Sequence, residues 1–258
     1  MDATRVDTTV STEAPTGQTA AYVIGSTEAL LVDPAARTDS LDAALDGRTV
    51  AHVAVTHHHP DHVGAVAQYA ETHDATVWAR QGRTREFERA TGVAPDRTFS
   101  AATTIRTGDG AVSVVETPGH APEHVAFAAG DTVVSGDLAV AEGSVVVGAP
   151  EGDLRAYLTS LRRLHALDPA RLAPSHGPPI ESPRATCRRL VAHRLDREQR
   201  VREAVASGAE MPDEILTAAY EKDLTGVRAL ARATVVAHLE KLAVEGTVRW
   251  DGERATPV

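Results

Sequence analysis

Four potential metal ligands lie within six residues, in the order His-x-His-x-Asp-His. They are His57, His59, Asp61 and His62. The mostly apolar residues 50–55 before them predict a buried strand, and residues 63–69 after them predict a helix. In extended backbone, side chains two residues apart point to the same side, so the first two histidines can converge on one ion. The other two ligands turn with the start of the helix and can face a second ion.

Three further candidate ligands each follow a predicted strand. They are His120 in Thr117-Pro118-Gly119-His120, Asp137 in Ser135-Gly136-Asp137, and His176 in Ser175-His176-Gly177. Gly or Pro stands beside each one and predicts a loop. Loops of this kind present chemical groups on a rigid scaffold. The segment 57–62 alone could be a surface histidine tract, but a chance scatter would not repeat the strand-then-ligand order, so one shared site is predicted.

The residue types indicate the chemistry of that site. Imidazole and carboxylate ligands suit zinc, and imidazole also suits iron. Two ions about 3.5–4 Å apart can share a water and stabilise the attacking and leaving oxygens of a hydrolysis reaction. Zinc can lower the pKa of a bound water to about 7, which makes hydroxide available at neutral pH. The pattern therefore predicts metal-dependent hydrolysis of an ester-like bond.

Together these signatures resemble the metallo-β-lactamase superfamily of hydrolases, over roughly residues 20–180. The resemblance implies an α/β fold, a four-layer αββα sandwich with the metal site at one edge. It also implies a dinuclear centre of Zn2+, two ions per chain, with iron or manganese as alternatives. The ligand sets that it implies are His57, His59 and His120 for one ion, Asp61, His62 and His176 for the other, and Asp137 bridging both. Asp61 is also expected to act in catalysis by orienting the attacking hydroxide.

The chain is predicted to divide near residue 180. At 258 residues it can hold one medium and one small domain. Strand-like and helix-like segments alternate in 1–180, the predicted hydrolase domain. Residues 181–258 are predicted to form a small C-terminal, winged-helix-like domain of three helices (182–207, 212–220 and 231–245) and a hairpin over 247–255. Asp251-Gly252 favours a tight two-residue type I′ turn in that hairpin.

The tail sharpens the resemblance. His193-Arg194-x-x-Arg197-Glu198 and Ala237-His238-Leu239-x-Lys241-Leu242 resemble the beta-lactamase-like protein 2 branch of the superfamily. Known members of that branch include a metal-dependent endoribonuclease that acts on single-stranded RNA. Relatives in the wider superfamily hydrolyse thioesters, including hydroxyacylglutathione (the glyoxalase II reaction). The resemblance thus implies either a single-stranded RNA substrate or a small-molecule thioester.

A nucleic-acid-binding regulator is a rival hypothesis of a different class, because a winged helix can enter a DNA groove. The helix over 231–245 offers Arg232, His238 and Lys241 as contacts, which is poor in base-reading residues. The Arg-rich helix over 182–207 can hold phosphates or be a solvated face paired with Glu198 and Glu203. The net charge of −10 disfavours a nucleic-acid partner.

Other features give expectations about location and supporting residues. The N-terminus shows no basic stretch followed by an apolar run, and no window approaches the ~18 apolar residues of a membrane span, so a cytoplasmic protein with no membrane partner is expected. The sole cysteine, Cys187, is expected to be inert. His124 is expected to support the metal ligands, and His58 to face solvent. Asp33 either braces a ligand loop or caps a turn.

Overall fold

The computed structural model describes residues 3–221 and 223–258, and within them the chain forms two compact units. The first unit contains the residues up to Glu116, Glu123–Gly143 and Asp168–Pro183. The second contains Thr117–Pro122, Ser144–Leu167 and Arg184–Val258. No helix in the described part of the chain is long and apolar enough to cross a membrane.

Two β-sheets build the first unit. The first sheet has the order β1 (Ala3–Thr9), β2 (Gln18–Ile24), β3 (Glu28–Val32), β4 (Thr49–Ala54), β5 (Thr76–Arg80) and β6 (Arg97–Phe99). The second sheet has the order β11 (Arg171–Pro174), β10 (Thr132–Gly136), β9 (Val125–Ala129), β8 (Gly110–Glu116) and β7 (Thr104–Thr107). Strands β3 to β6 run parallel, and β10 runs parallel to β11.

The two sheets share one apolar core. Tyr22, Leu30 and Phe99 from the first sheet and Phe127 and Val134 from the second belong to the same buried cluster. A second cluster covers the other face of the first sheet with helices α1 (Asp39–Leu45), α2 (Pro60–Val63), α3 (Val66–His73) and α4 (Thr84–Thr91). Parallel strands buried on both faces need such continuous apolar sequences. The predicted α/β fold, with sheets flanked by helices, is confirmed.

Strand direction brings the ligand loops together. Because β10 and β11 are parallel neighbours, the residues after their carboxyl ends, Asp137 and His176, leave the sheet at the same edge. Gly136, the last residue of β10, has φ +53°, a left-handed conformation. A Cβ there would lie 2.6 Å from His124 Nε2 and 2.8 Å from Thr56 Oγ1, so only glycine fits.

Most predicted elements of the first unit are present, but one predicted helix is divided into two. The helix predicted over 63–69 is two helices, α2 and α3, separated at Gly64 and Ala65. A Cβ at Gly64 would lie 2.4 Å from the Ala35 carbonyl oxygen, and the Ala65 amide donates to the Pro34 carbonyl. Contact with the loop after β3 thus outweighs helical periodicity here. Elements that the sequence analysis did not predict are β1, α4, β6, β7 and β9.

The second unit contains helices and one hairpin. Its helices are α5 (Leu154–Leu167), α6 (Pro183–Ala206), α7 (Pro212–Ala219) and α8 (Arg228–Val244). The first residue of α6, Pro183, belongs to the first unit. An apolar cluster joins α6, α7, α8 and the hairpin through residues such as Val201, Ile215, Leu239 and Val248. Leu195 on α6 lies outside this cluster and is 42% exposed. The winged-helix assignment and the domain boundary near residue 180 stay predictions.

The hairpin joins β12 (Val248–Trp250) to β13 (Ala255–Pro257), as the sequence predicted. The two-residue type I′ turn was wrong, because Trp250 pairs with Ala255 and leaves a loop of four residues between them. The Asp251 carboxylate accepts hydrogen bonds from the backbone N–H groups of Glu253 and Arg254, both at 2.8 Å. Its side chain therefore stabilises a longer turn in place of the tight one.

A buried charged cluster links α6 to α8. Lys241, whose side chain is 7% exposed, donates to Glu198 at 2.8 Å and to Glu245 at 2.9 Å. Burial raises the pKa of Glu198, but His238 and Lys241 beside it outweigh burial and hold the pKa below its usual value. A carboxyl group whose pKa is lower in the folded chain stabilises the fold at pH values above its pKa in the unfolded chain. This stabilisation is lost as the pH falls through the pKa of the folded state.

We predict that Glu198→Gln lowers the free energy of unfolding of the full chain by about 2 kcal/mol at pH 7, because a mostly buried ammonium loses a charged partner. Urea denaturation at a series of pH values measures this. The difference from wild type should shrink below pH 4.5, the ordinary value for this carboxyl. Glu203→Gln, on the exposed side of the same helix, should change the free energy by less than about 0.5 kcal/mol. Equal losses in both variants would contradict the prediction.

Candidate metal centre

The predicted ligands of the first unit gather where β4, β10 and β11 end. Two sets have nitrogen and oxygen atoms within 4.8 Å of one another: His57, His62 and Asp137, and Asp61, His62 and His176. His62 belongs to both sets and is fully buried. Loops after three strands of two sheets therefore converge on one small volume, as the sequence analysis predicted.

Hydrogen bonds fix which ring nitrogen of each histidine is available. His62 Nδ1 lies 3.1 Å from Asp33 Oδ2, and His176 Nδ1 lies 2.8 Å from the Gln18 carbonyl oxygen. A carbonyl oxygen can only accept, and so can an ionised carboxylate, so each Nδ1 carries the proton. The lone pair of each neutral ring is then on Nε2, the atom that faces the other candidate ligands.

His57 is fixed by a relay of the same kind. Thr56 Oγ1 donates to Asp33 Oδ2 at 2.7 Å, so the hydroxyl accepts from His57 Nδ1, which lies 3.0 Å away. His57 Nε2 then lies 3.0 Å from His59 Nδ1. At this separation either His59 Nδ1–H donates to the lone pair of His57 Nε2, or a cation lies between two lone pairs. The geometry of this pair is therefore compatible with both a neutral hydrogen bond and a bound cation.

Asp137 lies between the histidines of both sets. Its Oδ2 is 3.4 Å from His176 Nε2 and 3.9 Å from His62 Nε2. Its backbone N–H donates to His124 Nε2 at 3.0 Å, and the His124 ring is buried. His124 therefore supports the backbone of a candidate ligand, which is the kind of role that the sequence predicted for it.

Asp33 joins the ligand loops, which decides between its two predicted roles. It is fully buried and accepts four hydrogen bonds. The donors are the Thr56 amide, the Thr56 hydroxyl, His62 Nδ1 and the Ser175 hydroxyl, at 2.7 to 3.2 Å. These donors come from the loops after β4 and β11. Sequence reasoning missed Thr56, Ser175 and Gln18, whose only signal is that two of them directly precede a ligand histidine.

The electrostatics of the cluster favour a cation. Burial lowers the pKa of His62, but its hydrogen bond to Asp33 and the charges of Asp33, Asp137 and Asp61 outweigh burial and raise the pKa to about 9. Burial likewise lowers the pKa of His176, and Asp137 reverses the shift, so the net direction is upward. Carboxylates around buried imidazoles stabilise positive charge, whether it is a proton or a metal ion.

The donor set fits a metal ion. His62 Nε2 is buried and has no hydrogen-bond partner among the residues that the structure describes. It lies 3.8 Å from Asp61 Oδ1 and 3.9 Å from Asp137 Oδ2, too far for hydrogen bonds. A cation placed among these atoms would satisfy all three, and imidazole nitrogen with carboxylate oxygen is a donor set for zinc or iron.

His120 and His58 complete the account of the predicted histidines. His120 lies in the second unit, where its Nδ1 donates to the Val146 carbonyl at 2.7 Å and leaves Nε2 with the lone pair. Its role with His57 and His59 stays a prediction. The expectation that His58 faces solvent was wrong, because its side chain is 18% exposed and Nδ1 lies 3.3 Å from Glu123 Oε1.

Comparison with known proteins gives the family. The sequence model of the metallo-beta-lactamase superfamily matches residues 14–176, more than half of the chain. The Beta-lactamase-like protein 2 homolog of Drosophila melanogaster is 33% identical over 76% of this chain and 70% of its own length. The Probable metallo-hydrolase YqjP of Bacillus subtilis is 26% identical over 94% of both chains.

Solved structures agree on the fold. A beta-lactamase domain protein from Burkholderia ambifaria has a TM-score of 0.81 at 23% identity, over 98% of this chain and 92% of its own. A metallo-beta-lactamase family protein from Thermus thermophilus has a TM-score of 0.79 at 23% identity, over 99% of this chain and 98% of its own. Together with the sequence match and the relatives in the beta-lactamase-like protein 2 branch, these findings show that the chain belongs to the metallo-beta-lactamase superfamily and is a hydrolase.

Proposed function

We propose that this hydrolase uses a dinuclear metal centre, with zinc as the expected metal. Three residues would hold the first ion: His57, His59 and His120. Three others would hold the second: Asp61, His62 and His176. Asp137 would contact both. The observation that carries the proposal is the buried Nε2 of His62, which has no hydrogen-bond partner within residues 3–221 and 223–258. It faces two carboxylates at distances that suit a shared cation.

Iron is the main alternative metal. The structure of TTHA1623 in a di-iron-bound form is 31% identical in sequence, with a TM-score of 0.56, over 68% of this chain and 94% of its own. Imidazole and carboxylate ligands serve iron as well as zinc. Metal analysis of the protein as isolated distinguishes the two.

Each residue has a defined task in the proposed reaction. Bound ions would supply an activated water near neutral pH and would polarise the oxygen of the substrate. Asp61 would orient the attacking water through its carboxylate. Asp33 holds His62 in place through Nδ1, and it holds the loop after β4 in place through the Thr56 amide. Gln18 holds the proton of His176 on Nδ1, so that Nε2 stays available.

Single-stranded RNA is the first candidate substrate, because the branch motifs of the tail resemble those of an endoribonuclease-containing branch. Thioesters are the second. The Thioesterase pkgB of Emericella nidulans is 29% identical over 59% of this chain, and the Hydroxyacylglutathione hydrolase of Erythrobacter litoralis is 32% identical over 49%. Both candidates contain an electrophile with an oxygen that a metal centre can polarise.

The packing of two of the seven arginines on α6 is the observation that favours the thioester, although Arg184, Arg188 and Arg189 of the same helix are exposed. Arg194 is buried, donates to the Val145 carbonyl and lies over the Tyr157 ring. Arg197 lies over the Tyr220 ring at 3.5 Å from its centre. These two arginines therefore support the second unit and do not form part of an open stripe for phosphates. Arg200 is exposed and pairs with Asp196 at 2.9 Å.

The regulator hypothesis loses its support from α8. Of its three candidate contacts, His238 is fully buried and Lys241 is 7% exposed. Arg232 pairs with Asp213 at 3.1 Å. A helix whose basic residues are buried or paired within its own unit is poorly suited to read bases in a groove. We therefore propose an enzyme and do not propose a regulator.

We predict that zinc-loaded protein hydrolyses either labelled single-stranded RNA or hydroxyacylglutathione, and that a chelator abolishes the activity. Asp137→Asn should lower the rate by at least about 100-fold, because the shared carboxylate charge is lost. Asp131→Asn, an exposed position after β9, should keep the wild-type rate. Parallel assays at low and high salt separate the substrates, because phosphate contacts weaken with salt.

The outcome of those assays decides the substrate class. RNA cleavage that disappears in Asp137→Asn supports the ribonuclease, and thioester hydrolysis with the same loss supports the thioesterase. Fully metal-loaded protein that hydrolyses neither substrate would contradict both candidates. Activity that survives both the chelator and Asp137→Asn would contradict the metal centre itself.

We predict that Asp33→Asn lowers metal affinity by about 10- to 100-fold, because an amide cannot accept from all four donors that surround it. Equilibrium dialysis followed by metal analysis measures the effect. Asp96→Asn is the matched control. Asp96 also accepts a backbone hydrogen bond, from Val77, but it lies away from the ligand loops. That variant should lose stability without losing metal. Wild-type affinity in Asp33→Asn would show that the brace has no part in metal binding.

A further inference from the structure

Residues 10–17 form the loop between β1 and β2, and one of their side chains reaches the candidate centre. Thr12 Oγ1 donates to Asp61 Oδ2 at 2.6 Å, across 49 positions of sequence. From this contact we propose that Thr12 is a positioning residue for Asp61, and that it couples the loop 10–17 to occupancy of the second metal site. The inference rests on the proposed metal centre and adds a residue to it that no sequence motif includes.

An ionised carboxylate can only accept, so the Thr12 hydroxyl is the donor to Asp61. The same hydroxyl accepts from the Ala14 backbone N–H at 3.1 Å. Thr12 therefore links the loop backbone to the Asp61 carboxylate. Hydrogen bonds from a hydroxyl to a carboxylate are short and stronger than neutral ones, and 2.6 Å is in that range.

Asp61 needs such a partner, because its own helix does little to hold it. Asp61 lies in α2, a helix of four residues with no side-chain hydrogen bond at its N-cap, His59. Among the described residues, Thr12 provides the hydrogen bond to the Asp61 carboxylate. With Oδ2 bonded to Thr12, the carboxylate places Oδ1 3.8 Å from His62 Nε2 and Oδ2 3.6 Å from His176 Nε2. The hydroxyl thus selects one rotamer of a candidate ligand.

A purely local role for Thr12 does not account for the contact. The loop is already closed by backbone hydrogen bonds, from the Val10 amide to the Gly17 carbonyl at 3.2 Å and from the Gly17 amide to the Ala14 carbonyl at 3.0 Å. Thr16 donates to the Gln18 carbonyl, which also accepts from His176 Nδ1, so Thr16 is not an independent control. Ser11, an exposed hydroxyl residue of the same loop, is the matched control.

Coupling follows from the same geometry. The Thr12 hydrogen bond stabilises the rotamer of Asp61 that can bind a metal ion. Because linkage between two equilibria is reciprocal, a bound ion then stabilises the Thr12 hydrogen bond by the same factor. Metal binding should then stabilise the closed loop. Amide hydrogen exchange detects this, because the Ala14 N–H is protected by its bond to the Thr12 hydroxyl.

The test uses the full chain, stripped of metal and titrated with Zn2+ by calorimetry, in four forms: wild type, Thr12→Val, Thr12→Ser and Ser11→Ala. Thr12→Val should weaken binding of the second equivalent by about 10- to 100-fold, the usual effect of losing a hydrogen bond to a ligand. Thr12→Ser restores the hydroxyl and should bind like wild type, and so should Ser11→Ala. Exchange of the Ala14 amide should slow on metal loading in wild type and not in Thr12→Val.

The outcomes separate the two levels of the proposal. Two ions bound by wild type and by Thr12→Val with equal affinity would overturn the role of Thr12 and leave the metal centre intact. Fewer than two ions bound by wild type would overturn the dinuclear centre, and the inference with it. Equal weakening in Thr12→Val and Ser11→Ala would also overturn the inference, because it would assign the effect to the loop as a whole.

Discussion

The buried carboxylate of Asp33 is the interaction on which the rest of the centre depends. It stands at φ +52° directly after β3 and fills its lone-pair positions with donors from the loops after β4 and β11. The resulting constraint reaches two candidate ligand histidines. His62 is bonded directly, and His57 is bonded through the Thr56 hydroxyl. A single carboxylate thus sets the ring orientation and the protonated nitrogen of both.

The ligand positions could be read from sequence because they depend on local order. Each one follows a β-strand, and parallel strands deliver the residues after their carboxyl ends to one edge of a sheet. Among the residues that support the ligands, the sequence indicated His124 and Asp33 but not Thr12 and Gln18. Thr12 and Gln18 reach the centre through tertiary hydrogen bonds, and in sequence they are ordinary loop or strand residues. Distance along the chain hides them, since Thr12 and Asp61 are 49 positions apart.

The errors in the fold have the same physical origin. Periodicity predicted one helix over 63–69, and a close backbone contact at Gly64 divides it. The Asp-Gly pair predicted a tight turn, and the Asp251 carboxylate, which bonds two amides further along, stabilises a longer one. The arginines of α6 counted as a possible phosphate stripe in sequence, although the packing of Arg194 and Arg197 against tyrosine rings is visible only in three dimensions. Tertiary contact outweighed local propensity at Gly64 and at the arginines, whereas a local side-chain hydrogen bond decided the turn.

The charge balance of the centre ties metal binding to folding. Asp33, Asp61 and Asp137 surround His62, which has a raised pKa because the folded chain brings three carboxylates to one buried ring. In the unfolded chain these groups are apart and solvated, so the demand for a cation arises only on folding. A proton can supply positive charge at only one nitrogen. Divalent ions would compensate the negative charge of all the facing carboxylates and bind the imidazoles as well, which explains why so many acidic groups can lie within a few ångströms of one another.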